Sequence, residues 1–262
     1  MSDLPSVLIT GASSGIGAVY ADRFARRGHD LVLVARDAAR IETLAATLRA
    51  ETGVSIEVLK ADLTHGPDLE AVSSRLRQDD RIGVLVNNAG ASVGGQFASQ
   101  SGADLQKLVA LNVSAVVELA NAVAPRFAQA GRGAIVNIGS VVGLAPEFGL
   151  SAYGATKAFV LYLSQALAFE LGPKGVYVQA VLPAGTRTEI WERSGADPAK
   201  LPPLMEVGDL VDAALVGFDR REPVTIPPLH DAAQWDAFQG ARQAMLPGFA
   251  ATVPADRYRE QS

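Results

Sequence analysis

Short apolar runs rich in β-branched residues alternate along this chain with longer stretches of helical period. No other feature narrows the possible folds as far. The runs are Val7 to Thr10, Leu31 to Ala35, Ile56 to Leu59, Val84 to Asn87, Ala134 to Ile138, Tyr177 to Leu182 and Val224 to Ile226. Most are apolar along their length rather than alternating with polar residues, the pattern of strands buried on both faces. Between them, Ile16, Val19, Tyr20 and Phe24 recur at helical spacing, as do Ile41, Leu44, Ala45 and Leu48, then Leu69, Val72 and Leu76. Leu105 to Ala130 and Ala155 to Leu171 continue the pattern. Strand–helix–strand repetition predicts right-handed βαβ units, hence an α/β fold with a doubly wound sheet of about seven parallel strands flanked by helices. The 262 residues suit one domain over 1–262, with a flap at about 189–205 and a C-terminal helix and tail at about 229–262.

Composition removes several chemistries. There is no cysteine, which excludes disulfides, cysteine-ligated zinc, iron–sulfur clusters and thiol nucleophiles. The three histidines, His29, His65 and His230, stand apart with no metal-ligand spacing, so no metal is expected. A formal net charge of −5 argues against a nucleic-acid partner, which needs a basic face. The first residues carry no basic leader, and the chain reads as having no apolar stretch near the roughly 18 residues of a membrane span. A soluble cytoplasmic protein with no membrane partner is the expectation. The segment 189–205, with Gly195, Pro198, Pro202 and Pro203, is long for a connection and reads as a surface insertion or a mobile flap over a site.

The first run leads into Gly11-Ala-Ser13-Ser14-Gly15-Ile16-Gly17, where a helix begins. Glycines let backbone approach a pyrophosphate, and a helix N-terminus offers free N–H groups and the positive end of its dipole. Placed after the first strand, this turn predicts a dinucleotide site in a Rossmann-type domain. Arg36 lies at the end of the second run, 19 residues past Gly17. Its guanidinium suits a 2′-phosphate and favours NADP(H). Asp37 beside it could take the ribose hydroxyls of NAD(H) instead, or cap the next helix.

Further motifs stand in order behind the loop. Asn87-Asn88-Ala89-Gly90 ends the fourth run, Asn112 sits in the fourth helix, Ser140 follows the fifth run, and Tyr153-Gly-Ala-Thr-Lys157 comes 13 residues later. Asp62 and Leu63 close the third run. Together with Thr10 to Gly17, this set resembles the short-chain dehydrogenases/reductases over about residues 5–228. The resemblance implies catalysis by Ser140, Tyr153 and Lys157, with Asn112 holding a water on a proton relay. It also implies cofactor contacts from Gly11, Ser13, Ser14, Gly15, Ile16, Gly17, Arg36, Asp62, Leu63, Asn88, Ala89, Gly90, Asn112, Tyr153, Lys157, Pro183, Thr186 and Thr188. One departure is that Ala184 stands after Pro183, where the family commonly has glycine.

The chemistry follows from residue types as well. Reducing a carbonyl needs a proton donor at the developing alkoxide. Tyr153 and Lys157 at i,i+4 share one helix face, and a nearby ammonium favours a phenolate. Ser140 can hydrogen-bond the substrate oxygen. Val141, Val142, Leu144 and Phe148, with Trp191, Leu201, Leu204 and Met205 of the flap, suit a neutral or hydrophobic carbonyl or alcohol. Arg187 and Arg193 read as solvated. The helix over 155–171 is apolar on more than one face, so beyond the sheet it meets either a second subunit or the C-terminal tail; the resemblance implies a homo-oligomer (dimer or tetramer) paired through this helix. The rival functional readings are a dinucleotide-binding sensor or scaffold without turnover, and an NAD(H)-preferring alcohol dehydrogenase.

Overall fold

The computed structural model describes residues 4–194 and 203–259. Seven parallel strands form one sheet: β1 (Ser6–Thr10), β2 (Leu31–Ala35), β3 (Ile56–Lys60), β4 (Ile82–Asn87), β5 (Ala134–Ile138), β6 (Tyr177–Val181) and β7 (Val224–Thr225). Their spatial order is β3-β2-β1-β4-β5-β6-β7. The order reverses between β1 and β4, which is where an open α/β sheet splays its connections and leaves a crevice at the carboxyl ends. Every residue of β1, β2, β5 and β6 is buried, as the apolar runs require.

Helices cover both faces. On one, α1 (Gly15–Arg26), α2 (Ala38–Thr52) and α8 (Val207–Asp219) pack Tyr20, Phe24, Ile41, Leu48, Leu210 and Leu215 onto Val7, Ile9 and Leu33. On the other, α3 (Gly66–Gln78), α5 (Ala115–Ala130) and α6 (Ser151–Leu171) press Val72, Leu76, Leu119, Phe127 and Leu171 against Leu8, Leu85 and Ile135. The sequence reading passed over α8, although Leu210, Val211, Ala214 and Leu215 repeat at helical spacing and are all buried. Between β6 and α8 lies a single turn of helix, α7 (Ile190–Arg193).

The long stretch read from Leu105 to Ala130 is helical but not uniform. α4 (Gly102–Val109) passes through one π turn, Ala110–Ser114, into α5. The stretch Gly102–Ala130 is also long and apolar enough, by length and composition, to cross a membrane. That amends the expectation that no such stretch exists: a single carboxylate, Glu118, interrupts residues 110–125 without making them polar overall. Leu108, Ala115, Leu119 and Val123 are nonetheless core residues of the domain.

Contacts divide the chain into two compact units, Met1–Pro227 and Pro228–Ser262. The second contains α9 (Ala232–Ala244), capped by Asp231, whose carboxylate accepts from the Ala233 N–H at 3.0 Å. Trp235 and Phe238 stack within it, with ring centroids 5.5 Å apart.

Candidate active site

The carboxyl ends of β1, β4, β5 and β6 carry the chemistry-bearing residues toward one crevice. The loop after β1 is held from behind. Thr10 Oγ1 accepts from the Asn88 and Ala89 N–H groups, each at 3.0 Å, and the Asn88 side-chain amide donates to Thr10 O (2.9 Å) and Gly11 O (3.1 Å). Asn88 therefore spends its donor on the loop itself. Gly11 has φ +65°, and a Cβ on it would lie 2.8 Å from Ala89 Cα. A Cβ on Gly17 would overlap both Asn88 Nδ2 and Gly11 O. These glycines let the backbone close into a cradle around the start of α1. The cap residue of α1, Ser14, makes no side-chain cap bond, and the first turn carries no acid. The leading N–H groups and the helix dipole are thus left for an anion, which fits a dinucleotide pyrophosphate.

The ambiguity between Arg36 and Asp37 has a local answer. Asp37 is the N-cap of α2, and its carboxylate accepts from the Arg40 N–H at 3.0 Å. Arg36 is exposed, and among the described residues its side chain makes no hydrogen bond. Its charge does reach Asp62. Burial opposes ionisation there, but the Thr64 hydroxyl (2.7 Å) and N–H (2.9 Å), with Arg36, hold the Asp62 carboxyl below its usual range. Leu63 is buried beneath.

The i,i+4 pair lies in α6. Lys157 is buried and donates to Ile138 O at the end of β5 (2.8 Å). Burial lowers its pKa from 10.5 to about 8. Its Nζ sits 5.8 Å from the Tyr153 ring centroid. Burial pushes the Tyr153 phenol up, and the nearby Ser140 hydroxyl opposes it. The net direction is upward, opposite to the sequence expectation of a lowered phenol, because desolvation is the largest cause. Ser140 is itself fixed, accepting from the Val142 N–H at 3.2 Å and donating to Pro183 O at 3.3 Å.

Asn112 lies in the π turn, which spreads the helix where a polar amide must face inward. Its Oδ1 accepts from the Ala91 N–H (2.9 Å), and its Nδ2 donates to Ala91 O (2.9 Å) and Thr156 Oγ1 (3.0 Å). It ties the loop after β4 to α6 between Tyr153 and Lys157. A Cβ on Gly90 would sit 3.4 Å from Asn112 Oδ1 and 3.5 Å from Lys157 Nζ. Thr186 is buried with its hydroxyl on Ala184 O (3.0 Å), and Thr188 meets the phosphate loop, its methyl 3.2 Å from where a Gly15 Cβ would stand.

Asn137, Ser164 and Gly143, which support the site, were not singled out in the sequence. Asn87 donates to Asn137 Oδ1 (3.0 Å) and Asn137 to Ser164 Oγ (2.9 Å), a buried polar ladder that fixes α6 to β4 and β5. Gly143 packs backbone to backbone on α6, where a Cβ would lie 2.7 Å from Ala158 N and from Lys157 C. No motif marks it, because only the tertiary contact does. Gly143→Ala is expected to destabilise the fold by about 1–3 kcal/mol, the range for overpacking a close contact. A denaturant melt checks it, and an unchanged midpoint would mean the turn moves freely.

The apolar residues expected near a substrate divide. Val141, Val142 and Leu144 are half-buried in the turn after Ser140, and Phe148 is exposed in the turn before α6. Met205 is half-buried and packs against the core cluster, as Ile16 and Val19 also do. It bridges to Thr186 and closes the base of the segment, with the Arg187 N–H donating to Met205 O (3.0 Å). Leu204 is half-buried, Leu201 lies outside the described residues, and Arg187 pairs with Glu206 at 2.7 Å. No cluster of metal-ligating side chains occurs among the described residues.

Residues 5–199 match the family model described as short chain dehydrogenase. A short-chain dehydrogenase from Sphingobium yanoikuyae, solved in complex with NADPH, is 66% identical, covers 98% of this chain and 100% of its own, and superposes with a TM-score of 0.96. The bulky-bulky ketone specific alcohol dehydrogenase from Comamonas testosteroni is 57% identical over 98% of this chain and 99% of its own, with a TM-score of 0.92. Among curated relatives, the 17-beta-hydroxysteroid dehydrogenase type 3 of Rattus norvegicus is 34% identical over 69% of this chain. The chain spans 60% of that relative's length.

Proposed function

Since the chain belongs to the short-chain dehydrogenase family, we propose that it is an NADP(H)-dependent oxidoreductase interconverting a neutral, apolar carbonyl compound and its alcohol. The observation that carries this reading is the Lys157 ammonium beside the Tyr153 ring, held at the end of β5 just before Ser140, across from a glycine cradle at a helix N-terminus. When bound, the nicotinamide supplies or takes up the hydride. Tyr153 gives the proton to the carbonyl oxygen in reduction and removes it in oxidation. Ser140 positions that oxygen, and Lys157 stabilises the phenolate left behind. Asn112 fixes the loop that lines the cofactor side of Lys157. Gly11 to Gly17 hold the pyrophosphate, Asp62 and Leu63 border the adenine, Asn88, Ala89 and Gly90 back the adjoining ribose, and Pro183, Thr186 and Thr188 meet the nicotinamide.

Asp37 is occupied as a helix cap while Arg36 is open, which favours a 2′-phosphate over a bare ribose. Titrating NADPH and NADH separately, by nicotinamide fluorescence, tests the cofactor class. NADPH is expected to bind tighter. Arg36→Ala is expected to weaken NADPH tenfold to a hundredfold, the worth of about 1.5–3 kcal/mol for a charge-assisted hydrogen bond, and to spare NADH. Equal binding would instead give the ribose to Asp37.

The Comamonas relative is described by the bulk of its ketones. The rim of Val142, Leu144 and Phe148 supports the same class here, ketones with two bulky apolar substituents. Phe159, Tyr162 and Phe169 are exposed on α6 and support a homo-oligomer formed through that helix. A cytoplasmic site of action accords with dependence on the intracellular NADPH pool. We read residues 1–262 as one oxidoreductase chain; of the flap expected at 189–205, residues 195–202 lie outside the described residues.

A further inference from the structure

The short helix α7 is tied down at two distant points. At its start, Glu189 holds Arg40 of α2 with both carboxylate oxygens. Arg40 Nη1 donates to Oε2 at 3.0 Å and Nη2 donates to Oε1. The partners are 149 residues apart in sequence. At its end, the Ser194 carbonyl packs on the bare α-carbon of Gly94, where a Cβ would overlap the oxygen. Gly94 belongs to the loop that Asn112 secures through Ala91. The helix thus runs from the adenosine side of the crevice to the substrate side. Just before the helix, Thr188 rests on Gly15, and a cavity of about 420 Å³ is lined by Gly15, Ala18, Val19, Thr188 and Glu189.

Arg40 stands one helical turn past Arg36, with Asp37 capping the turn between them. A fork of two N–H donors on one carboxylate has the shape that also grips a phosphate, and a phosphate carries more charge. We propose that Glu189 and Arg40 form a clasp that a phosphorylated adenosine ribose opens: the 2′-phosphate takes the Arg40 guanidinium from Glu189 and frees the start of α7. Glu189 is then a positioning residue. It couples recognition of the 2′-phosphate to the helix that closes on Gly94. A dinucleotide without that phosphate leaves the clasp shut. This inference rests on the NADP(H) reading above.

The test uses adenosine 2′,5′-bisphosphate, with adenosine 5′-diphosphate as its control. The chain has two tryptophans, Trp191 in α7 and Trp235 in α9. In a Trp235→Phe background, Trp191 emission reports α7, since its Nε1 donates to Thr186 O at 2.7 Å in the closed state. The bisphosphate is expected to shift Trp191 emission, and the diphosphate to leave it unchanged. Glu189→Gln should show the shifted emission before any ligand and bind the bisphosphate about two- to fivefold tighter, the worth of an exposed ion pair. Arg40→Met should also show the shifted emission and bind the bisphosphate more weakly. Bisphosphate binding with no change at Trp191, and with equal affinity in Glu189→Gln, would overturn the clasp and leave the cofactor class standing. Failure of the bisphosphate to bind where the diphosphate does would overturn both.

Discussion

Tyr153→Phe is expected to lower kcat for reduction of an apolar ketone by about 10²–10⁴, the usual contribution of a positioned general acid. The dissociation constant for NADPH should stay within about twofold of wild type. The change removes one oxygen and keeps the ring, so the packing of α6 against the turn after Ser140 is preserved. What disappears is the phenol proton that the proposed reaction delivers to the substrate oxygen; Lys157 meanwhile donates to Ile138 O and holds its place beside the ring. A steady-state assay with NADPH and a panel of bulky apolar ketones measures the first quantity, and nicotinamide fluorescence the second. Near-wild-type turnover would place the proton donor elsewhere. Tight NADPH binding with no turnover in the wild-type protein would instead favour a dinucleotide sensor.

Much of this site was legible because its motifs are local. Each strand that ends in the crevice is a buried apolar run, so the segment after it falls at the carboxyl edge of the sheet whatever the tertiary detail. Gly11 to Gly17, Asn87 to Gly90 and Ser140 could therefore be placed from sequence alone. The i,i+4 spacing of Tyr153 and Lys157 was enough to put them on one helix face. What spacing could not carry was environment. Burial raises Tyr153 and lowers Lys157, and burial belongs to the packed domain, not to the motif. The π turn at Asn112 was foreshadowed only by a polar amide in an apolar helix. The contacts of Gly143 with Lys157 and Ala158, and of Gly94 with Ser194, join segments with no shared pattern. Met205, an apolar residue in a proline-rich segment, packs half-buried against the core, a contact that no local pattern announces. The Arg40–Glu189 pair spans 149 residues and was invisible for the same reason.

The buried Lys157 sets a pH dependence with a definite sign. Its folded pKa is about 8 against an ordinary 10.5, with burial as the cause. Below about pH 8 it is an ammonium. Proton transfer from Tyr153 then leaves a phenolate next to a positive charge in a poorly solvated site, where their attraction is stronger than in water. Above about pH 8 the amine is neutral and that stabilisation is gone. Tyr153 is held protonated by its own burial, so its ionisation is not what ends activity there. Carbonyl reduction is therefore expected to be level at lower pH. It should then fall through about pH 8, with kcat/KM losing about tenfold per further unit if only the ammonium form is competent. Lys157→Met should remove that limb and give a low, flat profile, while a falling limb that persists in the variant would assign it to another group. Stability moves the other way. A lysine whose folded pKa is depressed binds fewer protons folded than unfolded between about pH 8 and 10.5. Its contribution to stability therefore rises across that window, having been unfavourable below it. Relative to Lys157→Met, the wild-type melting midpoint should increase over the same pH range in which its reductase rate declines. A wild-type melting midpoint that also stays well above the assay temperature across this range would exclude unfolding as the cause of the lost activity.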